Sequence, residues 1–369
     1  MRTRIGILVA FGLCLLGCGG GTSSNTSTAG GYFVTDLGIN DLNASSGFSS
    51  AARINDQGQI VGPSDALVCA NGDSPGITCG AIPAFLYSNG KVVNLGSKLA
   101  LAMDINNKGQ VVGNGSGVAA SGGGTLLASG SALHIGTLLD AYAINDAGQV
   151  AGDKPVTGTG LGNGLHAVIW QNGQMTDLGT IGNTTGAQDL SAAIDINNKG
   201  QVTGEYGTYQ GKNFHTRGFF WQNGKMADLG TLSATGNTRP IAINDAGQII
   251  GTSQVNNGAQ LDGFLWQNGQ MIDLSAQTGK PFQPMGINNA GQIVGTAAIG
   301  SASTGATFYH AFLWLNGKLT DLNSLLPSNS GWVLNVASDI NNRGQICGSG
   351  THNGQYRLFL LNPSASLPF

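Results

Sequence analysis

The stretch Ile243-Asn244-Asp245-Ala246-Gly247-Gln248-Ile249-Ile250-Gly251 decides the fold of this chain, because close variants of it occur seven times. The copies start 39 to 53 residues apart, at Ile54, Ile105, Ile144, Ile196, Ile243, Ile287 and Ile340. A period of this length is typical of stacked or radially arranged repeats, in which one unit is too small to bury its own hydrophobic face. The copies therefore predict a repeat architecture, although a repeat scaffold alone does not define a function.

One complete unit, residues 240–274, predicts four short strands. Residues 241–243 and 248–251 flank the turn Asn-Asp-Ala-Gly, and residues 263–266 and 270–274 flank the turn Gln-Asn-Gly. Asn-Gly favours tight hairpins, since both residues tolerate the positive φ angles that such turns require. The unit therefore predicts an antiparallel meander with two tight hairpins.

Counting the fourth strands indicates how the repeats are arranged. Six of them follow the repeats, near Asn94, His134, Asp177, Asp228, Asp273 and Asp321, and a seventh lies alone at residues 32–38. The N-terminal strand would complete a last blade whose other three strands end the chain, and this closure leaves only short, protected sheet edges. An open solenoid would need polar caps at both ends. We therefore predict an all-β fold over residues 32–369: a seven-bladed β-propeller of four-stranded antiparallel blades, closed by the N-terminal strand.

The first 31 residues predict export and membrane attachment. Arg2 and Arg4 precede an apolar run, residues 5–16, that is too short to span a membrane, which is typical of a signal peptide over residues 1–18. The run ends in Leu-Leu-Gly-Cys18, which resembles the lipobox of bacterial lipoproteins, so Cys18 is predicted to carry the lipid anchor. The alternative is an ordinary secretion signal with an incidental cysteine. Residues 19–31 are rich in Gly, Ser and Thr and predict a flexible tether to the bacterial cell envelope, at the outer membrane or cell surface.

The amino-acid composition indicates which kinds of partner this chain is expected to bind. Only 9% of the 369 residues are charged, the net charge is −3, and there is no basic stripe, so nucleic acid is not an expected partner. We expect a monomer without a cofactor. Cys69 and Cys79 flank a polar loop outside the repeats and predict a disulfide in an exported chain, with a metal-binding pair as the alternative.

The blocks between the repeats resemble the HAF-repeat family of bacterial extracellular proteins. His310-Ala311-Phe312-Leu313-Trp314 and His166-Ala167-Val168-Ile169-Trp170 are similar to the motif that names the family, and the resemblance covers residues 32–361. Other blades differ at the His position, where they carry Pro83, Arg217, Asp262 and Arg357. The resemblance implies an exported repeat protein and supplies no catalytic residues.

Three repeated features could be functional or structural. The Asn-Asp turns resemble half of a calcium loop but lack the acidic residue at the twelfth position, so we expect their side chains to bond the turn's own backbone. One aromatic residue per blade, Trp in four of them, could form a sugar-binding platform, yet its fixed strand position favours packing between sheets. His166, His215, His310 and His352 could converge on a metal, but they have no fixed short spacing, and His166 and His310 more simply mark the entrance to a strand.

The sequence favours a binding function over catalysis. No nucleophile elbow, phosphate loop or paired-carboxylate motif is present, so no catalytic residue and no metal ligand is predicted. The two hairpins are alike in most blades and the other connections vary, and binding residues concentrate in variable loops on rigid scaffolds. We therefore predict a non-catalytic binding or scaffold lipoprotein that recognises a glycan or protein. The predicted ligand-binding residues are Tyr206, Arg217, Tyr309, His310, Trp332 and Tyr356. Trp332 is expected in an irregular loop, residues 327–332.

The alternative is a polysaccharide-acting hydrolase or lyase at the mouth of the central channel. Two acidic residues or a Tyr–His–Arg cluster converging there would favour it.

Overall fold

The computed structural model describes residues 31–41, 52–62, 66–68, 80–82, 84–115, 123–136, 140–156, 164–181, 190–210, 213–234, 236–256, 260–301 and 307–364. Seven antiparallel sheets are arranged as the blades of a β-propeller, which confirms the predicted fold. The first strand of every blade lies next to the central axis, since the seven Ile-Asn ends of these strands line one axial cavity. Cys18, Cys69 and Cys79 lie outside the described residues.

The chain order of the strands follows the repeats. Strand β1 (Tyr32–Asp41) comes first but belongs to blade 7. Blade 1 and the insertion within it contain β2 (Arg53–Ile54), β3 (Ile60–Gly62), β4 (Ala66–Val68), β5 (Gly80–Ile82), β6 (Phe85–Ser88) and β7 (Lys91–Asn94). Blade 2 contains β8 (Leu101–Ile105), β9 (Val111–Asn114), β10 (Gly124–Ala128) and β11 (Ser131–His134). Blade 3 contains β12 (Asp140–Ile144), β13 (Val150–Val156), β14 (Gly164–Gln171) and β15 (Gln174–Gly179).

The remaining blades are built in the same way. Blade 4 contains β16 (Ser191–Ile196), β17 (Val202–Gln210), β18 (Asn213–Gln222) and β19 (Lys225–Asp228). Blade 5 contains β20 (Thr238–Ile243), β21 (Ile249–Val255), β22 (Gln260–Gln267) and β23 (Gln270–Asp273). Blade 6 contains β24 (Phe282–Ile287), β25 (Ile293–Ser301), β26 (Thr307–Leu315) and β27 (Lys318–Asp321). Blade 7 contains β28 (Trp332–Ile340), β29 (Ile346–His352), β30 (Gln355–Pro363) and β1.

The N-terminal strand closes the ring as predicted. Strand β1 pairs antiparallel with β30, from Tyr32 opposite Pro363 to Asp36 opposite Phe359. Tyr32 is almost completely buried and packs with the core between blades 6 and 7. The first and last segments of the domain therefore share one blade.

Blade 7 differs from the prediction of four strands. Its sheet has six strands, in the order β28-β29-β30-β1-β4-β5. Strands β4 and β5 come from the long connection inside blade 1, and β4 pairs with β1 at Ile39 opposite Val68. The repeat pattern did not predict this pairing, because an inserted segment carries no repeat register. The insertion thus covers the edge strand that closes the ring.

Packing between the blades explains the recurring aromatic and glycine positions. Phe219 and Phe264 are fully buried in the third strands of their blades, and Trp170 and Trp314 are also buried, so their main role is packing between sheets. In blades 1, 4, 5 and 7, the last glycine of the repeat faces the buried Phe of the third strand. A Cβ on Gly204 would overlap the carbonyl oxygen of Ala192 and approach Phe219 Cε1 to 2.7 Å. Only glycine therefore fits that position without a shift of the sheet.

Helical structure is sparse. The helix α1 (Leu274–Thr278) and a 3₁₀ turn at Leu322–Leu325 follow the fourth strands of blades 5 and 6, where Asp273 and Asp321 cap them. Within the described ranges, no helix has the length and apolar character needed to cross a membrane.

Candidate functional site

A closed circle of hydrogen bonds surrounds the axis at the Asn that follows each repeat's first Ile. The seven residues of this asparagine ring are Asn55, Asn106, Asn145, Asn197, Asn244, Asn288 and Asn341. Each Nδ2 donates to the backbone carbonyl of the equivalent Asn in the next blade at 2.8–3.1 Å, and Asn341 closes the circle onto Asn55. Every blade is therefore joined to both neighbours by the same bond.

Each residue of the asparagine ring also fixes its own turn. In blade 5, Asn244 Oδ1 accepts from the backbone N–H groups of Ala246 and Gln248, and Nδ2 donates to Gln248 Oε1 at 2.6 Å. All seven asparagines are buried and make this set of contacts, and buried amides are stable only when their donors and acceptors are satisfied. The invariant Asn and Gln of the repeat thus form one structural unit.

A second circle, here called the mouth ring, lies at the next position in each turn. Its members are Asp56, Asn107, Asp146, Asn198, Asp245, Asn289 and Asn342. The backbone N–H of each donates to the side-chain oxygen of the next member at 2.8–2.9 Å. We expected these side chains to bond their own turns; the structure shows that they bond the neighbouring blade instead, because adjacent turns lie side by side around the axis.

Three aspartates just before the Ile join further pairs of blades. Asp104 accepts from its neighbour Ile105 N–H and from Ile144 N–H of blade 3, both at 2.8 Å. Asp195 links blades 4 and 5 in the same way, and Asp339 links blades 7 and 1. Both oxygens of each carboxylate are thus engaged by backbone amides, which satisfies these partly buried polar groups.

Arg53 occupies the equivalent position in blade 1. Burial would lower the pKa of its guanidinium, but the nearby Asp339, Asp104 and Asp195 carboxylates outweigh that effect and raise it. Burial raises the pKa of Asp195 to about 7, with Asp104 adding to the shift, and it raises the pKa of Asp339 to about 6 against the opposing effect of Arg53. A Cβ on Gly286 would lie 2.7 Å from Asp339 Oδ1. Blade 6 therefore has no side chain at the position where blades 1, 2, 4 and 7 carry Arg53 and the aspartates.

The two rings and the aspartates enclose a small polar cavity of about 170 Å³ on the axis. We call the side of the ring that carries these turns and the Asn-Gly hairpins the hairpin face, and the opposite side the loop face. Among the described residues, no group of three or more His, Cys, Asp or Glu side chains could hold a metal. The polar groups at this mouth are engaged in joining blades, which is a structural role.

In blades 3, 4 and 6, the residue at the His position before the third strand contacts an Asp of the fourth strand. His166 Nδ1 lies 3.0 Å from Asp177, Arg217 Nη2 lies 2.8 Å from Asp228, and His310 Nδ1 lies 2.7 Å from Asp321. Each basic residue precedes its Asp by 11 positions, so each pair joins the third and fourth strands of one blade.

In blade 7, His352 at the end of β29 lies 3.1 Å from Asp36 of the fourth strand. The pairs of blades 3, 4 and 6 could have been predicted from the sequence, since a basic residue and an Asp recur there at a fixed separation.

The six predicted ligand-binding residues do not form one cluster, because they lie in blades 4, 6 and 7. Tyr206 and Trp332 are buried, Arg217 and His310 are held by the ion pairs, Tyr309 is partly exposed and Tyr356 is exposed.

We expected Trp332 to lie in an irregular loop, but the structure places it at the start of a strand. It begins β28, its ring stacks on His352 with a centroid distance of 4.6 Å, and it meets Phe359 edge-on. Little of its ring is therefore open to a ligand.

Exposed apolar side chains gather instead at the loop-face ends of blades 5 to 7. Five large hydrophobic residues there are 43% to 54% exposed: Leu261, Ile299, Phe308, Val333 and Tyr356. Val333, Thr351 and Tyr356 are neighbours in register across β28, β29 and β30, so their side chains share one face of the sheet. Three neighbouring blades therefore present apolar groups on the same side of the ring.

An acidic pair lies at the loop-face end of blade 3. Asp140, the first residue of β12, is directly opposite Asp153 on β13, and the Tyr142 hydroxyl donates to Asp140 Oδ2 at 3.3 Å. Burial, with a contribution from Asp140, raises the pKa of Asp153 to about 6. Asp153 Oδ1 is buried and has no hydrogen-bond partner among the described residues. The sequence pattern does not predict this pair, because the strand register brings together residues 13 positions apart in the sequence.

Comparisons with known proteins extend to the fold alone. No protein-family model and no curated protein matches the chain. Among solved structures, the β-propeller domain of the Trilobed protease from Pyrococcus furiosus is similar, with a TM-score of 0.53 and 6% identity, over 86% of this chain and 98% of that one. An acylaminoacyl peptidase from Pyrococcus horikoshii has a TM-score of 0.47 at 11% identity, over 84% of this chain and 51% of that one.

TolB from Acinetobacter baumannii has a TM-score of 0.40 at 12% identity, over 76% of this chain and 59% of that one. The Pyrococcus furiosus domain is described as having an open velcro topology. In this chain, by contrast, β1 pairs with β30. The likeness to the Pyrococcus furiosus domain supports the β-propeller fold and carries no activity with it.

Proposed function

We propose that this chain is a non-catalytic binding module of the bacterial cell envelope, and that its loop face recognises a partner protein. The observation that carries the proposal is the group of exposed apolar residues on blades 5 to 7, opposite a hairpin face whose polar groups are used to join blades. Exposed apolar patches on stable domains mark interaction surfaces. The mixture of aliphatic Leu261, Ile299 and Val333 with aromatic Phe308 and Tyr356 fits a protein better than a glycan, which favours aromatic platforms with more polar surroundings.

The test is a paired screen of the mature chain, kept in detergent, against arrays of envelope proteins and of glycans. Phe308→Ser with Tyr356→Ser should abolish binding of a protein hit and leave thermal stability unchanged, because both side chains are exposed. Val93→Ser is the matched control, since Val93 is equally exposed but lies on blade 1. Binding that survives the double substitution would remove the loop face of blades 5 to 7 as the site, and binding of glycans alone would replace the protein partner.

Attachment to the envelope through a lipid on Cys18 completes this proposal and rests on the sequence of residues 1–31. The pairing of Val68 with Gly80 supports a Cys69–Cys79 disulfide, because the next residue toward the tip of each strand is a cysteine. Intact-mass analysis of protein extracted from membranes should show cleavage before Cys18 with added acyl groups, and no reactive thiol at Cys69 or Cys79. Protein released in soluble form and cleaved elsewhere would exclude the anchor.

A hydrolase or lyase acting on polysaccharides is the second candidate, favoured by the pair of Asp140 and Asp153. A carboxyl group whose pKa is raised to about 6, beside a second carboxylate, is suited to general acid catalysis. Product analysis with envelope polysaccharides tests this role. Turnover that is lost in Asp153→Asn and retained in Asp177→Asn would establish it, whereas the absence of any shortened or unsaturated product would leave the binding function.

A further inference from the structure

The hairpin face carries two circles of charged positions, and the charges of the inner circle cancel. The inner circle consists of the mouth ring and the turn residue that follows each of its members. Three of these residues are basic and three are acidic: Lys108, Lys199, Arg343, Asp56, Asp146 and Asp245. Each basic residue follows an Asn of the mouth ring, so no blade contributes both signs. The centre of the hairpin face therefore has no net charge.

The outer circle lies at the hairpins between the third and fourth strands, and its charge is not balanced. It consists of the first residue after each hairpin or, in blade 7, of the residue that pairs in the same register. Its seven members are Lys91, Ser131, Gln174, Lys225, Gln270, Lys318 and Phe33. Three are lysines and none is acidic, so the outer circle has a net charge of +3 in a chain whose net charge is −3.

The three lysines of the outer circle are available to a partner. All three are exposed, and none forms a salt bridge among the described residues. Three basic residues nearer the loop face are instead neutralised within the fold: Lys154 lies 3.1 Å from Asp177, Arg217 lies 2.8 Å from Asp228, and Arg239 lies 3.5 Å from Glu205. Unpaired positive charge on one side of a protein attracts an anionic surface.

The chain enters the fold at this same face. Tyr32 begins β1 opposite Pro363, at the hairpin-face end of blade 7, and the Gly31 carbonyl accepts from the Ser364 N–H at 2.9 Å. Residues 19–31, the predicted tether, contain no charged residue, and a flexible chain of this length spans about 20 Å on average. Phe33, beside this entry point, is 42% exposed. A lipid on Cys18 would therefore hold the hairpin face closer to the bilayer than the loop face.

We propose that the hairpin face lies against the anionic phospholipid surface that holds the lipid anchor, with Lys91, Lys225 and Lys318 beside lipid phosphates and Phe33 at the interface. The loop face of blades 5 to 7 then points away from the membrane, toward its partner. Three lysines beside an anionic leaflet favour adsorption by on the order of 100-fold. This attraction is too weak to hold a free protein at a membrane, but it orients a chain that is already tethered there. The orientation rests on the lipid anchor of the proposed function, whereas the affinity of the face for anionic lipid does not.

The affinity of the face is measured without the anchor. The mature chain with Cys18→Ser cannot be lipidated, and its sedimentation with vesicles of phosphatidylcholine, with and without phosphatidylglycerol, gives the partition coefficients. We expect phosphatidylglycerol to raise the partition coefficient by on the order of 100-fold at low salt, and about 1 M NaCl to remove the increase, because the Debye length is then only about 3 Å.

The repeat itself supplies neutral residues for the outer circle. Lys225→Gln with Lys318→Gln introduces the Gln that blades 3 and 5 carry there, and it should lower the partition coefficient by about tenfold or more. Arg239→Gln with Lys280→Gln is the matched control, because it removes the same charge at the loop-face end of blade 5. The control should bind like the parent chain.

The orientation is measured on the lipidated mature chain in phosphatidylglycerol vesicles. Acetylation by a water-soluble reagent, mapped by mass spectrometry, should be several-fold slower at Lys225 and Lys318 in vesicles than in detergent. The exposed Lys280, which follows α1 on the loop face, should react equally in both.

The proposal is overturned if the Cys18→Ser chain binds both kinds of vesicle equally, if the Lys225→Gln/Lys318→Gln variant binds like the parent chain, or if the control loses as much. Protection of Lys280 in place of Lys225 and Lys318 would also overturn it, because the loop face would then lie on the membrane. Absence of a lipid on Cys18 would contradict the anchor of the proposed function, and the vesicle result would still decide the role of the hairpin face.

Discussion

The hairpin face and the loop face of the ring are built on opposite principles. On the hairpin face, seven turns make the same bonds to their neighbours, with nearly equal distances around the whole circle. On the loop face, one blade carries an acidic pair, three carry exposed apolar groups, and the insertion of blade 1 crosses to blade 7. The uniform face provides the mechanical closure, and this leaves the other face free to vary.

The junction between the last and first blades shows how complete this closure is. Asn341 donates to the Asn55 carbonyl at 2.9 Å, and Asn342 N–H donates to Asp56 Oδ1 at 2.8 Å, as in the other six junctions. Strand β1 adds a second closure farther from the axis. The ring therefore closes at two radii, and each closure can be tested separately.

The largest effect is expected from removing residues 32–38. This deletion exposes the edge of β30, removes the buried Tyr32 and takes away the strand on which β4 is paired. We expect a loss exceeding about 5 kcal/mol in the free energy of unfolding, which is comparable to the total stability of many domains. Urea denaturation followed by circular dichroism measures it. Deleting residues 19–25 of the predicted tether should have no effect, and equal stability of the two deletions would show that β1 does not close the ring.

A single break in the asparagine ring should have the next largest effect. Asn244→Ala leaves two backbone N–H groups, the Asn288 carbonyl and Gln248 Oε1 without their partner in a buried position. We expect a loss of about 3 to 5 kcal/mol in the free energy of unfolding, from several unsatisfied groups at about 1 kcal/mol or more each. Asp245→Asn is the control and should cost less than about 1 kcal/mol, because four other blades carry Asn there. Similar losses in the two variants would contradict a special role for the asparagine ring.

Stability should decrease as the pH rises, over the range in which the axial aspartates ionise. Burial raises the pKa of Asp195 to about 7 and that of Asp339 to about 6, whereas an unfolded Asp titrates near about 4. The folded chain therefore holds more protons than the unfolded chain between these values. The free energy of unfolding should fall by on the order of 5 kcal/mol from about pH 4 to about pH 7. Denaturation curves across this range test the slope, which Asp195→Asn should reduce; a slope of the opposite sign would show that the hydrogen bonds to these carboxylates outweigh burial.

The smallest effect on stability is expected on the loop face. Phe308→Ala should change the free energy of unfolding by less than about 0.5 kcal/mol, because the ring is 54% exposed. Trp332→Ala, which removes a buried side chain stacked on His352, should cost about 3 to 5 kcal/mol. Thermal denaturation of both variants provides the comparison. A large loss in Phe308→Ala would mean that the loop face also contributes to the stability of the ring.

The sequence predicted the ring well because its evidence was periodic. The number of repeats gave the number of blades, and the single early fourth strand at residues 32–38 gave the closure. The periodicity did not reveal which groups meet across blades, since hydrogen bonds such as that from Asn244 to Asn288 depend on the angle between units. The periodicity also did not predict where the non-repeated segments lie. Trp332 was expected in a loop but begins β28, and β4 was not expected in the sheet of blade 7.

The distribution of carboxylates around the axis is limited by the odd number of blades. The carboxylates of the mouth ring are at blades 1, 3 and 5 and never in adjacent blades, and the axial aspartates occupy blades 2, 4 and 7, so that no blade carries both. Neighbouring carboxylates repel one another, and alternation between the two positions of the repeat reduces this repulsion. An alternating pattern cannot close on an odd circle without one fault, and here the fault is blade 6, whose Gly286 and Asn289 carry neither charge. A ring with an even number of blades could alternate the two positions all the way round, whereas a seven-bladed ring built on this pattern must contain one exception.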